Sequence, residues 1–203
     1  MNKDIMSKEE EKKVKVSEDV SGLPTREEAM ELLKKHVKDD YQLLHSKMVA
    51  HILEKYAEKL KQNKELWYIT GLLHDLDFFE HPEEHPFHEL DFFKEKNFPE
   101  ALIHAVAAHY YKKTSIMPKT KLAEALLAVD ELSGLLYAYS KMRPEGFVGM
   151  KASSFKKKFN EKSFAAKVDR DDISLGIEKL GIPFDEHVDF VIKVLSEMDE
   201  LKK

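Results

Sequence analysis

The chain has 203 residues, of which 42% are hydrophobic and 35% charged, with a net charge of only -5. That is enough apolar material for one domain with a sizeable core, and it leaves no basic field to draw in duplex nucleic acid. The absence of cysteine excludes a disulfide framework and any thiolate metal site, and no stretch reaches the roughly 18 apolar residues of a membrane span. The N-terminus also lacks the apolar core of a signal peptide, so the expected location is the cytoplasm, with no membrane partner.

Residues 1–22 are mostly Lys, Glu, Asp and Ser and are expected to form a flexible arm, because they bury too little apolar area to offset the entropy of ordering. Thr25 and Glu28 form a capping box ahead of Ala29, Leu32, Leu33 and Val37, which predicts an amphipathic helix. Over 40–61 the residues Tyr41, Leu44, His45, Met48, Ile52, Leu53 and Tyr56 recur at spacings of three and four, placing His45 on the buried face and His51 off it. A third helix over 65–76 delivers His74 and Asp75 at its C-terminal end. Pro82 and Pro86 mark a loop that enters a helix near Phe87, and Pro99 suits the first turn of the next, whose stripe runs through Leu102, Val106 and Tyr110 with His109 beside it. The most apolar helix, 121–139, carries Asp130 next to its buried side and Gly134 within it, for which close packing is the expected reason. Beyond Arg143-Pro144 come a glycine-containing loop and a short basic helix in which Phe155 and Phe159 bracket three lysines. Two further helices follow, 171–180 ended by Gly181-Ile182-Pro183, and a last one from about 185 with Val188, Val191, Leu195 and Met198 inward. No run alternates as a strand would, so the expected class is all-α.

Single histidines on helix faces are usually hydrogen-bonded core or surface groups, and His36, His51, His81, His88, His104 and His187 are read that way. Asp75 and Asp130 differ, because a buried carboxylate must be paired or bind a cation, and no lysine or arginine occurs in TGLLHDLDFF or LAEALLAVDELSGLL. A divalent metal with nitrogen and oxygen ligands is the expected partner. Asp77 and Glu131 lie nearby and are expected on the surface or behind the ligands.

His45, then His74-Asp75, then Asp130 resembles the H…HD…D signature of the HD superfamily of metal-dependent phosphohydrolases, over roughly residues 25–140. The resemblance implies a helical bundle, with one domain over 23–203 divided into a metal-binding core, 23–140, and a C-terminal helical extension, 141–203. PEEHPFHELDFF and AVAAHYY resemble the corresponding segments of the two-metal subfamilies, which implies His85, rather than His88, and His109 as further ligands. Asp75 would then bridge two ions and be the residue on which catalysis depends. The cofactor implied is one or two divalent ions of Mn, Fe, Mg, Co, Ni or Zn. Ala108 stands before His109 where the HD-GYP proteins have a second histidine, and no GYP motif follows, so cleavage of cyclic dinucleotides is not expected. The region after Asp130 is similar to small stand-alone predicted HD hydrolases.

The resemblance implies hydrolysis of a small phosphate ester or nucleotide. Phosphate also calls for positive charge beyond the metals, and Arg143, Lys156 and Lys157 are the expected substrate-binding residues. The same ligand pattern resembles di-iron HD oxygenases, and a non-catalytic helical regulatory module with a structural metal is the third expectation.

Overall fold

A computed structural model describes residues 16–17 and 19–202. Its described residues form α-helices and no strand: α1 Arg26–His36, α2 Asp40–Leu60, α3 Lys64–Leu73, α4 Phe87–Glu95, α5 Glu100–His109, α6 Tyr111–Thr114, α7 Lys121–Lys141, α8 Ala152–Asn160, α9 Arg170–Leu180 and α10 Phe184–Glu197. The fold is all-α, and among the described residues no helix is long and apolar enough to cross a membrane.

Side-chain caps set the starts of α1, α2, α3, α7 and α9. Thr25 and Glu28 close the capping box of α1, with bonds of 3.2 Å from Glu28 N to Thr25 Oγ1 and 2.8 Å from Thr25 N to Glu28 Oε2. Asp39, Asn63 and Thr120 cap α2, α3 and α7 by accepting from Gln42 N, Leu66 N and Ala123 N, without the return bond. The one boundary that matters for function differs from expectation. Helix α3 stops at Leu73, so His74 is its C-cap and Asp75 lies in the following turn. The reason is local: the His74 ring donates to Gly71 O at 2.8 Å, and Leu76 N turns back to Leu73 O at 3.2 Å, tightening the chain out of the α-helix.

Helices α2, α3, α5 and α7 form the centre of the bundle, and α9 lies along α7. Two glycines permit the closest approaches. A Cβ on Gly71 would stand 2.8 Å from Ala50 Cα, and one on Gly176 would stand 2.4 Å from Ala128 N, so α3 meets α2 and α9 meets α7 backbone to backbone. Gly134 is different from expectation: a Cβ there would meet only the Tyr41 hydroxyl, at 3.0 Å, so no helix packs against it. Buried residues of the expected extension, among them Phe155, Ile173, Val188 and Leu195, join those of α2 to α7 in one apolar cluster.

Residues 1–15 and 18 of the expected arm lie outside the described residues. Of the remainder, Val16 packs on the core, Ser17 N donates to Glu100 Oε2 at 3.1 Å, and Gly22, at φ 82°, leaves no room for a Cβ beside the Asn97 carbonyl.

Candidate metal centre

Five segments bring the site together. Helix α2 supplies His45, the turn after α3 supplies His74 and Asp75, the end of α5 supplies His109, and α7 supplies Asp130; His85 comes from the loop before α4. Asp130 Oδ1 lies 2.9 Å from His45 Nε2 and 3.1 Å from His74 Nε2. Asp75 stands between two pairs of rings. Its Oδ2 is 3.8 Å from His45 Nε2 and 3.5 Å from His74 Nε2, while its Oδ1 is 3.4 Å from His85 Nε2 and 3.5 Å from His109 Nε2. The six residues thus form two donor groups, His45, His74, Asp75, Asp130 and Asp75, His85, His109, and within each the donor atoms lie within 4.8 Å of one another.

The far side of each ring is equally defined. His74 Nδ1 donates to Gly71 O at 2.8 Å and His109 Nδ1 donates to Val106 O. His85 Nδ1 donates to Asp77 Oδ1 at 2.6 Å. Ser133 Oγ donates to Asp130 O at 2.8 Å, so it accepts from His45 Nδ1 at 3.3 Å. Every Nδ1–H therefore has an acceptor, which fixes the tautomer and leaves Nε2 as the nitrogen turned to the centre. His85 Nε2 and His109 Nε2 meet 3.1 Å apart, an arrangement that two neutral rings of this tautomer avoid and a shared cation favours. Nitrogen and carboxylate donors together fit a divalent ion of the Mg to Zn series.

Electrostatics agree with a site built for positive charge. Burial works against a proton on His74, yet Asp75 and Asp130 beside it lift its pKa to about 9. Burial likewise opposes ionisation of Asp75 and Asp130, and the surrounding imidazoles, His74 foremost, hold both carboxyls below their ordinary range. Glu131 is pushed the other way, up to about 8, by burial and then by the charges of Asp130 and Asp75.

Behind His85 lies a second layer. Asp77 N donates to Glu89 Oε2 at 3.1 Å and Glu89 N donates to Asp77 Oδ2 at 3.0 Å, a reciprocal clamp that staples the Asp75 turn to the start of α4. Both side chains are buried, and burial followed by the charges of Asp77 and Asp75 raises Glu89 well above the usual carboxyl range.

The centre opens into a cavity of about 600 Å³. Tyr41, Phe78 and Tyr110 stand exposed at its rim, and Gly134 and Ala138 on α7 with Ala165 and Val168 before α9 give it width. The room at Gly134 is cavity space. Gln42, Glu131 and Asp172 also line it and were not singled out as binding residues from sequence. Gln42 was findable, since it precedes His45 by three on the same face of α2; Asp172 was not, because only the docking of α9 on α7 brings it there.

The three expected substrate-binding residues do not line the cavity. Arg143 donates to Gly146 O at 2.7 Å and Val148 O at 3.1 Å within its own loop. Lys156 faces Asp185 and the Phe184 ring, and Lys157 is exposed on α8. Phe155 is the physical reason: it is fully buried and anchors α8 on the bundle, and Lys156 and Lys157 beside it are left exposed. Of the other histidines, His88 is exposed and bonded to Glu84, His36 pairs with Glu80, and His187 is buried in the core.

The model of the HD domain family matches residues 43–135, a span that begins just before His45 and ends just after Asp130. No curated protein and no solved structure matches the chain. With the helical bundle, the ordered His and Asp positions and the family match in agreement, residues 43–135 of this chain are an HD domain.

Proposed function

We propose that the chain is a metal-dependent phosphohydrolase that cleaves a small phosphate ester or nucleotide with activated water. The observation that carries this reading is the position of Asp75, whose two oxygens face separate pairs of Nε2 atoms. His45, His74 and Asp130 would hold one ion, His85 and His109 a second, and Asp75 would bridge them. Ions bound there supply Lewis acidity toward a phosphoryl oxygen and a water of lowered pKa near neutral pH. The chain's own contribution is placement. The Nδ1 bonds to Gly71, Val106, Asp77 and Ser133 keep the four rings aimed inward. Leu127, Ala138, Ala165 and Val168 give the cavity an apolar wall that thins the water around a bound ester, and about 600 Å³ suits a small molecule. Among the described residues lining the cavity there is no serine, threonine or lysine, and water is the attacking group in this reading. The cytoplasmic location belongs to the same reading and rests on the cysteine-free sequence.

Metal analysis of the purified chain, joined to a phosphatase screen over mononucleotides, cyclic nucleotides, sugar phosphates and other phosphomonoesters, tests the proposal. Turnover that appears with a divalent ion and vanishes with chelator is expected. Silence toward every ester with every ion tried would overturn it, and a mixed-valent di-iron signal with oxygen consumption would replace it by an oxygenase.

A further inference from the structure

The loop before α4, which supplies His85 to the metal centre, carries a second group of metal-binding side chains. His81, Glu84 and His88 each offer a donor atom, and these three atoms lie within 4.8 Å of one another. The His81 and His88 rings are stacked, with centroids 4.0 Å apart and planes inclined at 21°. His88 Nε2 donates to Glu84 Oε2 at 2.9 Å, whereas the His81 ring makes no hydrogen bond to any described residue. Both histidines open onto a recess of about 90 Å³ that has no described lining residue in common with the cavity of the metal centre.

Backbone turns bring the three together. Glu84 N and His85 N both donate back to His81 O, at 3.0 and 2.8 Å, which folds the loop against the first turn of α4, where His88 stands. The neighbouring charges are engaged elsewhere. Glu80 pairs with His36 at 2.9 Å, and Lys113 is held by the Glu83 carbonyl and stands over the Phe87 and Tyr110 rings. Two imidazoles and one carboxylate with open positions form a donor set that suits late first-row divalent ions and suits Mg²⁺ poorly. An ion that takes the place of the hydrogen between His88 Nε2 and Glu84 gains both as ligands, the ring's proton moving to Nδ1. The His81 ring, with no other hydrogen-bond partner, supplies the third.

We propose that His81, Glu84 and His88 form an outer site for a late first-row divalent ion, zinc foremost, which clips the loop carrying His85 to the first turn of α4. The ion would join two points on either side of His85 in the chain. It draws on none of the ligands of the inner centre, so it is independent of the phosphohydrolase reading.

Three partly exposed ligands should let this ion exchange on dialysis, so uptake is read at equilibrium, by calorimetric titration of the metal-freed full chain with zinc at neutral pH. Wild type is expected to show one zinc step that His81→Ala and His88→Ala each weaken at least tenfold, with circular dichroism confirming the fold of both. The step should persist in Asp75→Asn, where the inner centre is impaired, and should be missing when magnesium replaces zinc. In the Asp75→Asn background zinc should also slow amide hydrogen exchange over 81–88 at least threefold, and adding His81→Ala should abolish the slowing. Identical zinc titrations of wild type and the two histidine variants overturn the inference. So does a step seen only at millimolar zinc, which is adventitious surface binding. A zinc step that needs both histidines yet leaves exchange over 81–88 unchanged keeps the site and removes the clip.

Discussion

Asp75 is the residue through which the two donor groups communicate, because each of its oxygens belongs to a different pair of imidazoles. Asp75→Asn keeps the volume and one acceptor but removes the charge that both ions would share. The expected result is a fall in bound metal to below one ion per chain, measured by mass spectrometry after dialysis, and a loss of turnover of more than about 100-fold, with the helical circular dichroism retained. Full metal content in this variant would sink the bridging assignment. At this scale the sequence was informative where chemistry is costly. His45, His74, Asp75 and Asp130 stand out as polar groups in apolar helical settings, the two aspartates with no basic neighbour in sequence, and the fold does bring the four together. His85 and His109 carry no such mark, and only the family resemblance pointed to them. Arg143, Lys156 and Lys157 were misplaced because a run of lysines says nothing about which side of a helix its neighbouring phenylalanines will dock.

At the scale of elements, the turn between α3 and α4 is held by the reciprocal bonds of Asp77 and Glu89, and Asp77 also sets the orientation of His85. Asp77→Ala should weaken the second ion by about 10 to 100-fold while the ion on His45, His74 and Asp130 remains. Calorimetric metal titration would show one strong and one weakened step; two steps of wild-type affinity would deny Asp77 that role. Glu89→Gln keeps an acceptor for Asp77 N and should leave both steps nearly in place. Glycines give a second comparison. Gly71→Ala drives a methyl against the Ala50 backbone and should cost about 1–3 kcal/mol of stability, whereas Gly134→Ala meets only the Tyr41 hydroxyl and should gain up to ~1 kcal/mol from helix propensity. Urea unfolding of the two variants separates them, and similar losses in both would contradict the assignment of Gly134 to open cavity space. Helix positions and caps were legible because periodicity and capping are local. The end of α3 was not, since a histidine ring competing for the Gly71 carbonyl cannot be read from spacing.

The whole molecule is tied together at His187. On α10 this ring accepts from the Tyr56 hydroxyl of α2 at 2.6 Å and donates to Ala128 O of α7 at 3.1 Å, so one side chain joins the C-terminal helices to the core that carries the metal ligands. Burial pushes its pKa down to about 4, even though the Ala128 carbonyl favours the proton. In the unfolded chain the group titrates near its ordinary value of about 6.5. Between these two values the unfolded state binds the proton more readily than the folded state, so stability falls as pH is lowered through that window and is fully regained above it. The shift corresponds to about 3 kcal/mol between pH 7 and pH 4. His187→Gln retains an acceptor for Tyr56 and a donor for Ala128 but has no proton to gain. Urea unfolding at steps from pH 7 to pH 4 should therefore show the variant less stable than, or equal to, wild type at pH 7, and losing less stability on acidification by roughly that amount. The metal-site carboxylates and His74 contribute to the acid response of both proteins alike, so the difference between the two curves isolates His187. Parallel curves would show that the ring is not held neutral by the packing of α10 on α2 and α7.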